Sequence, residues 1–225
     1  MTIELYVFPP SPRAFKVMAV ANYLGLDWTL RFIDLPKGEQ RTPQYAALNP
    51  NMRMPTLKDG DYVLWESSAI LQYLASKRPE SGLYPSDQRA RLDVTRWQFW
   101  ELAHWDPACA VFAFEHVAKR LLLGGGEPDQ AALAKGAELF HRAAKVLDGQ
   151  LAGKKFITGD TLTLADFSLG AALNPRRDRA FSDRAVRGDQ ALARGPARAA
   201  GVAEDAGAMR AARRRRGVRG VRRVG

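Results

Sequence analysis

Cysteine, histidine and long apolar runs are scarce in this chain. Cys109 is the only cysteine, so no disulfide can form within one chain. The three histidines are scattered, and none stands at the spacing of a zinc or other metal site. No apolar stretch reaches the ~18 residues of a membrane span, and residues 1–8 lack the basic start of a signal peptide. These absences exclude disulfide-rich, zinc-dependent and membrane-spanning proteins and predict a cytoplasmic one.

The excess of positive over negative charge is confined to the C-terminal part of the chain. The net charge is +10, and residues 174–225 alone carry 15 arginines against five acidic residues. That segment has no Lys, Ile, Trp or Tyr and a single Phe. Residues 1–173 are therefore neutral overall, and the tail is the only support for a nucleic-acid partner.

Strand and helix signals alternate in the first 80 residues, and helix signals follow. The predicted elements are a strand at 3–8 ended by Pro9-Pro10, a helix from Pro12 to Gly25 with Ser11 at its N-cap, a strand at 28–33, a hairpin turning at Asp59-Gly60, and a helix at 67–77. Two periodic segments at 88–123 and 128–150 follow, and Thr163 and Asp166 have the spacing of a capping box. This order predicts a mixed-sheet α/β domain followed by an all-helical domain.

Four strings follow one another along the chain: SPRAFKV, NPNMRMPTL, WESSAILQYL and GDTLTLADF. In this order they resemble strings of cytosolic glutathione transferases, most closely the serine-using theta-type and bacterial members. Each is weak alone, whereas the four together are specific. The resemblance covers residues 1–173. It implies a thioredoxin-like glutathione-binding domain at 1–80, a helical domain at 88–173, a homodimer, and a detoxifying enzyme that uses glutathione as a substrate and needs no cofactor.

Ser11 is the predicted catalytic residue. A thiolate beside it meets a hydroxyl donor and the positive end of a helix dipole, and both favour the anion. Lowering the thiol pKa by ~2 units takes about 2.7 kcal/mol, within reach of one charge-assisted hydrogen bond plus the dipole. The alternatives are that Ser11 only caps the helix, or that Tyr6, near the tyrosine of other classes, takes the role.

The resemblance also implies the residues that hold glutathione. Glu66 meets the γ-glutamyl ammonium, and Ser67 with the start of its helix takes the γ-glutamyl carboxylate. Met54-Pro55 falls where the family has a cis-proline, and the Met54 backbone pairs with the cysteinyl part. The alternatives are an ordinary capping pair and an ordinary trans proline.

Two further predictions concern the ends of the pocket. Lys37, Gln40 and Arg53 are candidates for the glycyl carboxylate, although each is equally explained as a solvated side chain. Aromatic residues on the segment 88–123 are mostly core or dimer-interface residues. Among them, Trp105 is the predicted wall of the second-substrate pocket.

The composition changes abruptly after Leu173, where the family continues with two or three packed helices. A shifted reading frame explains this, because back-translation of DRAFSDRAVRGDQALARG, moved by one base, can encode TAHFPIGPYGEIKRWHEA. A basic nucleic-acid arm or a membrane-surface segment is the alternative.

The leading function is a glutathione transferase that adds the activated thiol to a small electrophile. Glutathione-dependent disulfide reduction, dehalogenation or isomerisation on the same fold is the alternative within the family. A non-catalytic binding module is the alternative from another class.

Overall fold

The computed structural model describes residues 2–173. Four strands form one mixed sheet: β1 (Ile3–Val7), β2 (Trp28–Phe32), β3 (Thr56–Asp59) and β4 (Tyr62–Trp65). Their order is β2-β1-β3-β4. β1 runs parallel to β2 and antiparallel to β3, and Leu5 stands opposite both Leu30 and Leu57. The predicted hairpin forms between β3 and β4, and Gly60 at its turn has a φ of 63°, a conformation that favours glycine.

Helices cover this sheet as the sequence predicts, with one addition. The helices are α1 (Pro12–Tyr23), α2 (Pro43–Leu48) and α3 (Ser67–Ser76). α2 lies in the connection between β2 and β3 and was not predicted. Pro43 begins it, and Thr42 caps it by accepting a hydrogen bond from the Tyr45 N–H at 3.3 Å. Thr42 followed by Pro43 was the sequence signal for this helix, because threonine is favoured at the N-cap and proline at the first helical position.

The helical part of the chain differs from the prediction in one respect. The predicted segment 88–123 is not one regular helix but α4 (Gln88–Trp100), a π segment (Glu101–Trp105), α5 (Asp106–Ala113), a second π segment (Phe114–Ala118) and α6 (Lys119–Leu123). In a π turn the hydrogen bond joins residues five apart rather than four. Each π segment therefore rotates the residues that follow it about the helix axis.

Two more helices complete the described chain, α7 (Gln130–Leu151) and α8 (Leu164–Ala172). The predicted capping box opens α8. The Asp166 carboxylate accepts from the N–H of Thr163 at 2.8 Å and from that of Ile157 at 2.9 Å. α8 packs against α1, α4 and α5, so it lies between the sheet domain and the long helices. The predicted reading-frame shift falls at 174–225, outside the described residues.

Candidate functional site

Ser11 lies where the sheet meets the first helix. Its N–H donates to the Phe8 carbonyl at 2.9 Å, and α1 begins at the next residue, Pro12. Ser11 occupies the N-cap position with an extended backbone, but within residues 2–173 its side chain makes no capping hydrogen bond. The hydroxyl is half-buried and stands at the positive end of α1. Its position suits a donor to an anion better than a cap.

Tyr6 is unsuited to the catalytic role. Its hydroxyl donates to Glu4 Oε2 at 3.0 Å. Burial and this hydrogen bond both raise the pKa of Tyr6. A tyrosine that activates a thiol needs its hydroxyl directed at the sulfur, whereas this one is directed at a carboxylate along the same strand.

Glu66 and Ser67 stand at the start of α3 in an uncommon backbone geometry. Glu66 has a φ of 71°, a conformation that non-glycine residues rarely adopt and that is concentrated at functional sites. Its carbonyl still accepts from the Ile70 N–H at 2.9 Å, so the turn into α3 is closed. Ser67 is 3% exposed, and its Oγ has no partner among the described residues. The Ser67 hydroxyl therefore has its hydrogen-bonding capacity available to a bound group.

The loop before β3 has the predicted geometry. The Met54-Pro55 peptide bond is cis, and Pro55 is buried. The Arg53 carbonyl accepts from Tyr45 Oη at 2.8 Å and from Asn49 Nδ2 at 2.6 Å, so the backbone of this loop is fixed from α2. The side chain of Arg53 is exposed.

Lys37 and Gln40 lie in the connection after β2. Lys37 Nζ pairs with Asp34 Oδ2 at 3.0 Å, and this hydrogen bond raises the pKa of Lys37. Its side chain is 76% exposed, so it remains free to leave Asp34 for another anion. Gln40 differs, because its Oε1 is buried without a partner among the described residues. A carboxylate ligand would need the amide rotated so that Nε2 faces it.

Trp105, the predicted wall of the second-substrate pocket, lies in the core of the described residues, and its role as a pocket wall stays a prediction. Its side chain is 2% exposed and its Nε1 donates to the Leu169 carbonyl of α8 at 3.0 Å. Its ring stacks on Phe140 of α7 with centroids 5.2 Å apart. Indole is a large apolar ring with a single hydrogen-bond donor. In the core, the Leu169 carbonyl satisfies that donor and the Phe140 ring packs against the apolar face.

The other aromatic residues of α4 and α5 mostly pack, as predicted. Trp97 is 5% exposed, and Phe112 meets Phe140 edge to face at 5.9 Å. A cleft of about 350 Å³ lies between α4 and α7. It is lined by Arg96, Trp97, Trp100, Val146, Gly149 and Gln150. None of the predicted glutathione residues lines it.

Two ion pairs near Ser11 were not predicted. Arg13 Nη2 lies 2.5 Å from Asp106 Oδ2, and Lys16 Nζ lies 2.8 Å from Glu101 Oε2. Burial raises the pKa of Glu101 although Lys16 opposes this. The partners are 93 and 85 residues apart in the chain. A basic residue such as Lys16 among the apolar positions of α1 was the available signal, but nothing local identifies its partner.

Within the described residues no group of three or more His, Cys, Asp or Glu side chains is arranged to hold a metal ion. Over the same residues no helix is both long and apolar enough to cross a membrane.

A sheet of order β2-β1-β3-β4, a cis-proline before β3 and a serine at the start of α1 define a thioredoxin-like domain, and a helical domain follows it.

Comparison with known proteins identifies the family. Residues 1–76 match the model of the glutathione S-transferase N-terminal domain, and residues 130–177 match that of the C-terminal domain. Glutathione S-transferase 3 of Zea mays is 39% identical over 167 residues, 73% of each chain. Glutathione S-transferase theta-1 of Homo sapiens is 34% identical over 167 residues, 74% of this chain and 70% of the human one.

Solved structures agree with these relatives. A Pseudomonas fluorescens glutathione transferase family member with two glutathione molecules bound matches with a TM-score of 0.68 and 25% identity, covering 82% of this chain and 81% of that one. A Bombyx mori glutathione transferase matches with a TM-score of 0.67 and 27% identity, covering 85% and 87%. The chain belongs to the glutathione S-transferase family. The predicted fold class and the predicted glutathione transferase activity are confirmed, and glutathione is a substrate of this family.

Proposed function

We propose that Ser11 activates the glutathione thiol for attack on a small electrophile. The observation that carries this is the Ser11 hydroxyl at the start of α1, which makes no capping hydrogen bond in the described chain. Its hydrogen bond to a thiolate supplies about 1.5–3 kcal/mol and the helix end about 0.3–1 kcal/mol. Together these match the ~2.7 kcal/mol that lowers a thiol pKa by two units. The thiol proton leaves to solvent, and the thiolate then forms a bond to the electrophilic carbon while the leaving group of that carbon, a halide in an aryl halide, departs with its bonding electron pair.

Glutathione binds along the edge that connects Ser11 to α3. The γ-glutamyl carboxylate accepts from Ser67 Oγ, which is buried without a partner among residues 2–173, and from the first N–H groups of α3. Glu66 pairs with the ammonium next to it. The Met54 backbone holds the cysteinyl part.

The glycyl carboxylate lies toward the connection after β2. Arg53 and Lys37 supply exposed cations there, and Gln40 supplies its amide once Nε2 is turned toward the ligand. We rank Arg53 and Lys37 above Gln40 because the buried unpartnered atom of Gln40 is an acceptor.

The variant Ser11→Ala tests the catalytic role. It removes the hydrogen bond but keeps the helix end, so the pKa of bound glutathione, followed by thiolate absorbance against pH, is expected to rise by about 1–2 units. At a pH below the wild-type thiol pKa, the turnover number with an activated aryl halide is expected to fall about 10- to 100-fold, while glutathione affinity stays near wild type. Ser76→Ala, at the far end of α3, is the matched control. An unchanged thiol pKa in Ser11→Ala would remove Ser11 from the mechanism.

Calorimetric titration with glutathione tests the binding residues. Glu66→Ala leaves the ligand ammonium unpaired and is expected to weaken binding at least tenfold. Ser67→Ala is expected to weaken it because the γ-glutamyl carboxylate loses a donor. Ser68→Ala is a close control, since Ser68 is the next residue and its Oγ is also buried and unpartnered in the described chain. Equal effects of Ser67→Ala and Ser68→Ala would contradict the assignment.

The electrophile class is tested by products. A thioether product identifies the transferase reaction, whereas oxidised glutathione, halide released without a thioether, or an isomer identifies one of the alternative reactions on the same thiolate.

We also propose a homodimer built on α4 and β4. Phe99 and Leu92 on α4 are 65% and 59% exposed, and Tyr62 on β4 is 48% exposed. Exposed apolar side chains are typical of an interface when they form one contiguous patch. Phe99→Glu is expected to halve the mass measured by light scattering. Leu123→Glu, at 67% exposure, is the control, and an unchanged dimer in Phe99→Glu would exclude this face.

The domain boundaries and the shifted reading frame remain proposals, and so does a cytoplasmic location. The match to the C-terminal family model ends at residue 177, and Leu173 at the end of the described chain is 52% exposed. Both fit a helical domain whose remaining helices lie in another frame. Resequencing the gene tests this, and nucleotides that offer no family-like frame after codon 173 would refute it.

A further inference from the structure

Two ion pairs join α1 to the helical domain, and their cations follow Ser11 closely in the chain. Arg13 pairs with Asp106 at the rim of the interface, where the two side chains are 39% and 12% exposed. Lys16 pairs with Glu101 deep in the interface, where the side chains are 1% and 2% exposed. Residues three apart share one face of a helix, so α1 presents both cations to the same neighbour.

The π segment turns Glu101 and Asp106 toward the two cations of α1. Glu101 and Asp106 are five residues apart, and in a regular α-helix such residues point about 140° away from each other. The π segment Glu101–Trp105 lies between them, and its hydrogen bonds join residues five apart. Both carboxylates therefore face α1, one turn from each other, opposite Arg13 and Lys16.

This arrangement orients the helix more than it stabilises the fold. A rim pair such as Arg13–Asp106 contributes little to stability, and a buried pair such as Lys16–Glu101 is rarely better than well-packed apolar side chains. Two directed pairs on one helix face do, however, fix the rotation of α1 and its position along its axis. Ser11 directly precedes α1, so its position follows from the position of the first turn.

The charges around Arg13 keep this pair in place. Burial alone would lower the pKa of Arg13, but Asp106, Glu101 and Glu66 outweigh it and raise that pKa. Lys16 is the other cation at the interface. The guanidinium thus stays charged between the helical domain and the start of α3, where glutathione binds.

We propose that Asp106 is a positioning residue for thiol activation: through Arg13 it holds the first turn of α1 so that the Ser11 hydroxyl meets the glutathione sulfur. This inference rests on the proposed role of Ser11. It assigns a part in catalysis to the helical domain in addition to the second-substrate pocket.

The test measures the pKa of glutathione bound to the full chain in Asp106→Ala, Ser11→Ala and the double variant. Asp106→Ala is expected to raise that pKa by about half to one unit, which leaves roughly 3- to 10-fold less thiolate at a pH below it. Loss of a carboxylate charge would by itself lower the pKa of a nearby thiol, so a rise identifies positioning. In the Ser11→Ala background, Asp106→Ala is expected to add nothing. Asp106→Glu retains the carboxylate, so the pKa of bound glutathione in this variant should lie between those of wild type and Asp106→Ala.

Three results separate the possibilities. A fall or no change in the thiol pKa of Asp106→Ala overturns the inference and leaves Ser11 untouched. A rise that persists undiminished in the Ser11→Ala background also overturns it, because Asp106 would then act without Ser11. An unchanged pKa in Ser11→Ala, with glutathione bound, refutes the proposed role of Ser11 itself.

Asp93→Ala is the control, since Asp93 pairs with Arg96 on the exposed side of α4, and it should leave the thiol pKa unchanged. If Asp106→Ala does not fold, Asp106→Asn replaces it in the test. Asp106→Asn also removes the charge, which by itself would lower the thiol pKa, so a rise again identifies positioning.

Discussion

Gly136 on α7 lies against α5, and replacing it with alanine should destabilise the protein. A Cβ at this position would stand 2.9 Å from Val111 Cγ1 and 3.0 Å from Val111 Cβ. Both distances are shorter than normal carbon contacts of 3.5–4.0 Å. Val111 has a stiff, β-branched side chain in α5 and cannot turn away freely, so the two helices must move apart.

Two opposing terms set the size of the effect. Overpacking of this kind costs about 1–3 kcal/mol, whereas alanine in a helix interior gains about 0.5–1 kcal/mol over glycine. The net loss in the free energy of unfolding is therefore about 1 kcal/mol. For a folded part of this size that lowers the Tm by roughly 2–4 °C.

Gly149 offers a matched control, because it lies on the same helix and a Cβ there meets nothing within 4 Å. Gly149→Ala should gain only the helix propensity of alanine. The difference between the unfolding free energies of the two variants in urea therefore gives the steric cost at Gly136, about 1–3 kcal/mol. Val111→Ala removes the Cγ1 contact but keeps the Cβ at 3.0 Å, so it should relieve part of the clash and make Gly136→Ala less harmful. Equal stabilities of Gly136→Ala and Gly149→Ala would refute the steric argument.

Three further predictions follow from single contacts. Tyr6→Phe should leave the turnover number for glutathione conjugation unchanged, because the hydroxyl serves Glu4; a large loss in the same aryl halide assay would return Tyr6 to the mechanism. Trp105→Ala should cost about 3–5 kcal/mol in urea unfolding because it empties a core site, whereas a change only in the KM for the electrophile would indicate a pocket wall after all. Hydrogen bonds from Lys77 and Tyr73 lower the pKa of Asp59, so its stabilisation is present above its unfolded pKa, near pH 4, and is lost as the pH falls through the folded value. Stability of Asp59→Asn should accordingly fall less in acid than that of wild type, and parallel curves would contradict this.

Local signals account for most of the correct predictions. Pro9-Pro10 ends β1, Ser11 and Pro12 begin α1, Asp59-Gly60 turns the hairpin, and Asp166 closes a capping box onto the Thr163 N–H. Each signal acts within one turn of backbone, because a missing N–H, a positive φ or a side-chain acceptor decides the local conformation. Family strings such as WESSAILQYL located Glu66 and Ser67 for the same reason, since both stand at one helix start.

Other features depended on partners far away in the chain. The sequence predicted one periodic segment at 88–123, and only the folded structure, in which α5 and the first π segment pack on α7, shows where the hydrogen bonding shifts to π geometry. Trp105 was assigned to a pocket because helical periodicity does not say whether an aromatic face meets Phe140 or a ligand.

By itself, then, the sequence determined the order of the elements apart from α2, the family, and the residues at the ends of strands and helices that we propose bind glutathione. Tertiary structure alone decided that the Ser11 hydroxyl does not cap α1, that Ser67 Oγ is buried without a partner in the described chain, and that Arg13 and Lys16 meet Asp106 and Glu101. The physical reason is range: backbone propensity acts over a few residues, whereas the burial of a hydroxyl depends on the whole fold and each of these ion pairs joins side chains that are 85 or more residues apart in the chain.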